Sequence, residues 1–258
     1  LDKLAFPSPA YSASVKPKTR QDEEKISSAL SRLTSEDPTF GVSRDTQTKE
    51  LIISGMGELH LNVIIERMMR KYQANVELGT PKVPYQETIT KKIKVQGKYK
   101  KQTGGHGQYG DVWIEAEPLE RGKSFEFVDK IVGGAIPRNF IPSVEKGIKK
   151  SMAEGILAGY PITDIRVTLY DGSYHPVDSS DIAFQIAASM ALKKALETAG
   201  SVLLEPIMNV EIVVPDEFMG QITGDINSRR GRVLGMEPKG KNQAVKATIP
   251  LAEMFKYT

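Results

Sequence analysis

The sequence predicts an α+β chain in three parts: two split β-α-β sandwiches, the second incomplete, flanking a middle segment of different pattern. Three observations carry this. Apolar period-two and period-3.6 segments follow one another as β-α-β-β-α-β at the start, and the same order begins again near the end. Two composition breaks separate the parts: the Pro-rich stretch Gly79-Thr80-Pro81-Lys82-Val83-Pro84, and the end of a long helical pattern near Gly200. The 258 residues, 40% apolar and 26% charged, suffice for two or three cores at about 100–200 residues per domain. That composition excludes disorder, a collagenous repeat and a coiled coil.

In the first part, residues 10–18 alternate weakly and predict a strand. Thr19 caps the next element with Asp22 three residues on; Ile26, Ala29, Leu30 and Leu33 then fall at helical spacing until Asp37-Pro38 ends the run. Thr39 to Arg44 and Leu51 to Ser54 read as a hairpin. A second helix is expected from Gly57 to Tyr72, with Leu59, Val63, Ile64 and Met68 on one face, and Val76 to Leu78 closes the part with a short strand. This is the order of a ferredoxin-like sandwich.

The middle part predicts a long strand pair, about Gln86–Lys101 and Gln108–Glu117, joined through a glycine-rich turn. Ser124 to Val132 adds a strand, Pro142 to Glu154 a helix with Val144, Ile148 and Met152 in register, and Ile162 to Tyr170 another strand. Ser180 to Thr198 is a long helix, with Ile182, Ile186, Met190 and Ala191 expected to face a core and Lys193 and Lys194 near the negative end of its dipole. The β-type run Leu203 to Val214 leads into the last part. There a strand at Val210–Val214, a helix at Glu217–Arg229 and strands at Arg232–Glu237 and Val245–Ile249 begin a second ferredoxin-like domain. A further helix starts at Leu251 and the chain stops. A chain opening on Leu1 and stopping at Thr258, before that domain's last strand, reads as a fragment.

Charge divides unevenly. Residues 1–80 carry 11 basic and 11 acidic groups, residues 204–258 carry 7 and 7, and residues 81–203 carry 17 and 14, so the net +3 lies in the middle part. Thr88 to Gly110 holds Lys91, Lys92, Lys94, Lys98, Lys100 and Lys101 with no acidic residue. Such a stripe is either a solvated edge protected by lysine or a phosphate-facing row, since Lys neutralises phosphates without reading bases.

Several chemistries fail on spacing. Gly105-His106-Gly107-Gln108-Tyr109-Gly110 spells G-x-G-x-x-G, but a pyrophosphate cradle needs a helix to start there, and Val112-Trp113-Ile114 is strand-type. A dinucleotide-binding enzyme is therefore the weakest alternative, and the loop reads instead as a flexible hairpin tip or, with His106 and Tyr109 available to hydrogen-bond or stack, as a tip whose bare backbone approaches a partner. Gly122-Lys123-Ser124 lacks the upstream glycine of a phosphate loop, because position 117 is Glu117. No nucleotide-binding motif is present. His60, His106 and His175 are dispersed and there is no cysteine, which excludes disulfides, is compatible with a reducing cytoplasm and leaves no metal-ligand pattern. His60 reads as a packing residue, and Asp178 and Asp181 as helix N-cap chemistry. The loop Tyr170 to Ser180 is long, with an aromatic residue and a histidine at its middle, which suits a contact surface. No run approaches the ~18 apolar residues of a membrane span; Ile182 to Leu192 is interrupted by Gln185 and Ser189. No cationic-then-apolar leader opens the chain.

Three sets of phrases resemble the C-terminal half of the bacterial elongation factor G family. Ile53-Ser54-Gly55-Met56-Gly57-Glu58-Leu59-His60-Leu61 resembles the signature of its third domain. Gln102-Thr103-Gly104-Gly105-His106-Gly107-Gln108-Tyr109-Gly110 and Tyr170 to Ser180 resemble the two tip loops of its fourth, and Leu204-Glu205-Pro206-Ile207-Met208 and Gly224 to Gly231 resemble its fifth. The resemblance spans about residues 6–258. It implies a hinge domain at 1–80, an elongated decoding-site arm at 81–203, similar to a domain of a small-subunit ribosomal protein, and most of an rRNA-docking domain at 204–258.

It further implies the ribosome-binding half of a translational GTPase that promotes tRNA–mRNA translocation, with a paralogue in ribosome recycling or protection as the alternative. Asp181, where glutamate is usual, and His106, where arginine is common, leave room for that alternative. Ribosomal RNA of both subunits, tRNA and mRNA are the implied partners, and GTP and Mg2+ the cofactors, held by an N-terminal domain outside this chain, which itself carries no catalytic, cofactor or metal residues. The implied protein is monomeric, cytoplasmic and not membrane-bound. The tip contacts would be Gly104, Gly105, His106, Gly107, Gln108, Tyr109, Gly110, Ser173, Tyr174, His175, Asp178, Ser179 and Ser180. Lys91, Lys94, Lys98, Lys100 and Lys101 would face RNA phosphates, and Asn227, Ser228, Arg229 and Arg230 would dock on rRNA.

Overall fold

The computed structural model describes residues 6–102, 107–255 and 257. They form two compact units, one made of residues up to Pro84 together with Glu205 onward, the other of Tyr85–Leu204.

In the first unit, β1 (Tyr11–Pro17), α1 (Arg20–Glu36), β2 (Gly41–Arg44), β3 (Leu51–Gly55), α2 (Glu58–Tyr72) and β4 (Val76–Gly79) build an antiparallel sheet of order β2-β3-β1-β4. This is the split order expected: α1 carries the chain from β1 past β3's place to β2, and α2 carries it from β3 past β1 to β4. Thr19 and Asp22 form a complete capping box on α1, and Asp22 also accepts from the Asn75 backbone N–H at 3.0 Å, tying the cap to the approach of β4. Ile26, Leu30 and Leu33 of α1 pack with Leu61, Ile64 and Met68 of α2 and Ile53 of β3. The face expected for α2 is thus partly rotated. Leu59 and Val63 are exposed, and Leu61 takes the buried place. His60 is more than a packing residue: its Nδ1 accepts the Met56 N–H at 3.1 Å, so its Nε2–H points to Asp37 Oδ2, also at 3.1 Å.

Within the second unit lie β5 (Gln86–Ile89), β6 (Ile93–Lys101), β7 (Gln108–Pro118), β8 (Phe125–Asp129), α3 (Ile141–Glu154), β9 (Ile165–Ser173), α4 (Asp181–Thr198) and β10 (Ser201–Leu204). The expected single strand 86–101 is two. β5 pairs antiparallel with β10, Gln86 opposite Leu204, while β6 joins a second sheet of order β6-β7-β9-β8 in which β8 and β9 are parallel across α3. The run expected from Leu203 to Val214 is divided in the same way, at Glu205-Pro206. Both helices cover one face of the four-stranded sheet, and the core joins Val112, Ile114, Val167 and Leu169 to Ile148, Phe184, Ala188 and Leu192.

The sheet-facing side of α4 is Ala183, Phe184, Ala187, Ala188, Ala191, Leu192, Ala195 and Leu196, whereas Ile182 is 64% and Met190 46% exposed. Of the four residues expected to face the core, Ala191 is buried and Ile186 half-buried, and the two bulky ones, Ile182 and Met190, are outside for a steric reason. A Cβ on Gly97 of β6 would stand 2.1 Å from the Ala187 carbonyl, and one on Gly110 of β7 2.6 Å from that of Ala183. The helix lies backbone-close on the sheet at these two glycines, where Ala183, Ala187 and Ala191 meet them. Ser180, not Asp178 or Asp181, caps α4, accepting from the Ala183 N–H. Asp181 instead accepts from the Ser143 hydroxyl of α3 at 2.6 Å.

The first unit is completed by β11 (Ile207–Val214), α5 (Met219–Ser228), β12 (Arg232–Lys239), β13 (Asn242–Pro250) and the short α6 (Leu251–Met254). The strands order as β11-β13-β12 around a small core of Ile226, Val245, Ala247 and Ile249. Among the described residues no helix is long and apolar enough to cross a membrane.

Candidate nucleic-acid interface

β6 and β7 run out to one end of the four-stranded sheet, and β9 delivers the loop before α4 to the same end. The two loops singled out from the sequence, about 70 residues apart, are bonded into one tip. The Gly107 N–H donates to Asp178 Oδ1 at 2.9 Å, and the Tyr109 N–H to the Asp178 carbonyl at 2.8 Å. The Ser179 hydroxyl donates to the Tyr109 carbonyl at 2.9 Å and accepts the His175 N–H at 2.9 Å. Below them, Asp111 can only accept, so Ser173 gives it its proton at 2.9 Å and takes the Tyr109 phenol proton at 2.7 Å. Gln96 Nε2 fills the other Asp111 oxygen at 2.8 Å. Asp111 and Gln96 were not singled out from the sequence. A signal was there for Asp111: from Tyr109 to Glu117 every second residue of β7 is polar or amphipathic, and those between are Gly, Val, Ile and Ala.

His175 folds its own loop. Its Nδ1 accepts the Val177 and Asp178 N–H groups at 3.3 and 3.1 Å, which leaves the proton on Nε2, on a half-exposed ring. Tyr174 is exposed beside it. Thr103, Gly104, Gly105 and His106 lie outside the described residues. Gly107 and Gly110 have internal reasons to be glycine: a Cβ on Gly107 would meet the Asp178 carboxylate at 2.9 Å, and Gly110 is buried under α4. β7 begins at Gln108, so the G-x-G-x-x-G phrase runs into a strand and opens no helix. That removes the geometry a dinucleotide site requires.

The lysine stripe is sorted by the pleat. Lys94, Lys98 and Lys100 share the sheet face turned away from the helices, and Lys101 alternates to the other side. Lys91 lies at the opposite end, bonded through its N–H to the Ala199 carbonyl. Lys92 bridges Glu115 and Glu117 at 2.7 and 3.0 Å, and Lys94 stands 3.6 Å from Glu115 and 5.1 Å over the Tyr170 ring. Lys92 side-chain bonding, then its charge, holds the Glu115 carboxyl below its ordinary value despite burial. Lys98 lies 5.6 Å over the Tyr109 ring, and Lys98, Lys100 and Lys101 have no ion pair among the described residues. Free positive charge is thus concentrated at the tip end of the stripe.

The residues expected to dock on rRNA are partly committed within the chain. Arg230 forms a two-pronged pair with Glu205 at 2.8 and 3.1 Å and reaches Glu253 at 3.0 Å. Arg229 bonds Asp225 and the Glu253 carbonyl and lies 4.6 Å over the Tyr257 ring. Ser228 donates to the Asp225 carbonyl, and Asn227 is exposed. Among the described residues no group of three His, Cys, Asp or Glu side chains is arranged to hold a metal ion.

Comparison with known proteins gives three family matches in series: elongation factor G domain III over residues 6–80, domain IV over 81–200 and the elongation factor G C-terminus over 202–258. A curated relative, an elongation factor G-like protein of Thermotoga maritima, is 59% identical over 255 residues, which is 98% of this chain and 37% of that protein. A crystal structure of a protein from Thermus thermophilus superposes with a TM-score of 0.85 at 47% identity, covering 99% of this chain and 38% of that one. The chain therefore spans well under half the length of these relatives.

Proposed function

The chain belongs to the elongation factor G family, and from that premise we propose that it is the ribosome-binding half of a translational GTPase that promotes tRNA–mRNA translocation. The observation that carries the reading is the two-loop tip. Asp178 and Ser179 clamp Gly107 and Tyr109 from a second strand–loop system, presenting His175 and Tyr174 from a braced support. A factor acting on every codon needs contacts that do not read bases. A histidine N–H donor, backbone groups and the lysines behind them supply such contacts.

In this reading the tip enters the ribosomal A site and holds the moved tRNA–mRNA duplex against return. Lys98, Lys100 and Lys101 neutralise neighbouring phosphates, and Asn227 with its neighbours docks on rRNA. Residues 1–80, 81–203 and 204–258 act as hinge, arm and docking domain of a monomeric cytoplasmic protein. GTP and Mg2+ belong to the part of the protein beyond this chain and supply phosphate-bond hydrolysis there; this chain's residues bind and brace. In the full-length protein, deleting Gly104–Gly110 or making His175→Ala should slow translocation about tenfold or more while sparing GTP turnover. Unchanged translocation would sink the tip assignment.

A second reading is left open by Asp181 and His106, which depart from the residues usual at those positions. It makes the chain part of a paralogue acting in ribosome recycling or protection. Assaying the full-length protein for subunit splitting beside translocation separates the two.

A further inference from the structure

The open face of the four-stranded sheet carries aromatic residues that the core does not use. Trp113 of β7 and Tyr170 of β9 are partly exposed, 6.5 Å apart between centroids at 52°, and Tyr109 continues the row toward the tip. None of the three joins the hydrophobic cluster on the helix side. Register places Gln96 beside Trp113 and Lys100 beside Tyr109, so cations and rings interleave. The acidic groups on this face are Asp111, Glu115, Glu117, Glu126 and Asp171. Glu115 and Glu117 share Lys92, with Lys94 and Arg166 on their outer sides, and Glu126 pairs with Arg166 at 2.8 Å. Asp111 is buried and hydrogen-bonded by Gln96 and Ser173. Asp171, opposite Trp113, is exposed and accepts the N–H of Gly172. Glu115, Glu117 and Glu126 are therefore neutralised by Lys92, Lys94 and Arg166, whereas Asp111 and Asp171 have no ion pair on this face among the described residues. Lys98, opposite Asp111, and Lys100 flank the aromatic half.

We infer that this face is a stacking platform for an unpaired stretch of RNA, with bases on Trp113 and Tyr170 and the strand's phosphates at Lys98 and Lys100. The inference deepens the RNA-binding reading of this unit by adding a second surface behind the tip. Flat rings accept any base face, and lysines at the edge follow the backbone, the combination that non-sequence-specific single-strand binders use. The carboxylate of Asp171 is placed to accept a base N–H in place of water. A duplex cannot use the platform, because its bases are already stacked.

Trp113 is the only tryptophan in the chain and reports on its own site. Titrating the protein with a 12-nucleotide oligouridylate at low salt should quench Trp113 emission saturably, and a 12-base-pair RNA duplex should not. Tyr170→Leu should weaken binding about fivefold or more, the low end of one lost base–aromatic stack. Lys98→Gln with Lys100→Gln should lower the slope of log K against log salt by about 1.4, at about 0.7 per phosphate contact for single strands. Trp113→Leu, followed by anisotropy of a labelled strand, gives a second reading, with thermal melts confirming that each variant is folded. Binding seen by anisotropy with Trp113 emission unchanged would overturn the platform and leave the tip reading standing. Equal quenching by duplex, or full affinity in both ring variants, would overturn it as well. The translocation assay on tip variants tests the parent reading separately.

Discussion

Glu87 is wholly buried, yet it has no basic partner among the described residues. Its two oxygens accept the N–H groups of Ile156, Leu157, Ala158 and Tyr160 at 2.7–3.1 Å. Burial works against the charge, and the four donors outweigh it, so the carboxyl is held below the ordinary glutamate value. The sign follows: the carboxylate stabilises the fold above the unfolded-state value, and that contribution is lost as pH falls through the lower folded-state one. Glu87→Gln turns one acceptor into a donor against donors and should cost about 2 kcal/mol or more. Thermal melts between pH 7 and 3 should show the native protein losing stability more steeply than the variant; parallel curves would refute this. The spacing between Glu87 and the loop at 156–160 hid the role, since nothing local distinguishes this glutamate from a surface one. Legibility at the tip differed. Asp178 and Ser179 were visible as loop residues, but their partners Gly107 and Tyr109 lie about 70 residues away at the start of β7, so residue patterns alone, without the family resemblance, did not join them.

The elements themselves were largely readable, because their signals are local. The Thr19–Asp22 capping box and the Asp37-Pro38 stop depend on neighbours within four residues, and the hairpin on strands joined by a short turn, Arg44 opposite Leu51. What could not be read is which apolar residues face inward when a helix offers two apolar sides. In α4 the bulky candidates Ile182 and Met190 are outside, because the helix turns to the sheet the side on which Ala183, Ala187 and Ala191 can meet Gly110 and Gly97 at backbone distance. Strand glycines belonging to another part of the chain thus decide the face of the helix. Gly97→Val should therefore push α4 off the sheet and cost about 3 kcal/mol, the upper end of overpacking penalties. Urea melts that leave the midpoint within error would show that the helix can shift freely. Thr19→Ala, which removes half the capping box of α1, should cost about 1 kcal/mol in the same measurement.

For the whole molecule, the second unit has its own core and its own closing strands, with its entry and exit paired as β5 and β10. Residues 85–204 expressed alone should fold and melt in one cooperative transition, followed by circular dichroism with Ile148→Ala as a destabilised control; a broad, non-cooperative melt would show that the unit depends on the rest of the chain. The sequence shows breaks at Gly79–Pro84 and near Gly200; it holds no sign that the chain leaves this unit through a strand pairing with the one it entered by. That pairing links residues more than 100 positions apart, and such non-local partners leave no mark on composition.

The strand pair has a mechanical consequence. Because Gln86 sits opposite Leu204, tension applied between the two ends would open the pair one bond at a time, like a zipper, and would not shear all its bonds together. Peeling needs little force, so this stalk resists separation of its ends weakly by itself. Beyond the first pairs, Glu87 also bonds the segment at Pro161–Thr163 through its backbone, and the Thr90 hydroxyl bonds the Gly200 carbonyl at 2.8 Å. A pull would therefore stall at these cross-ties, and the body of the unit would stay folded while its attachment begins to part.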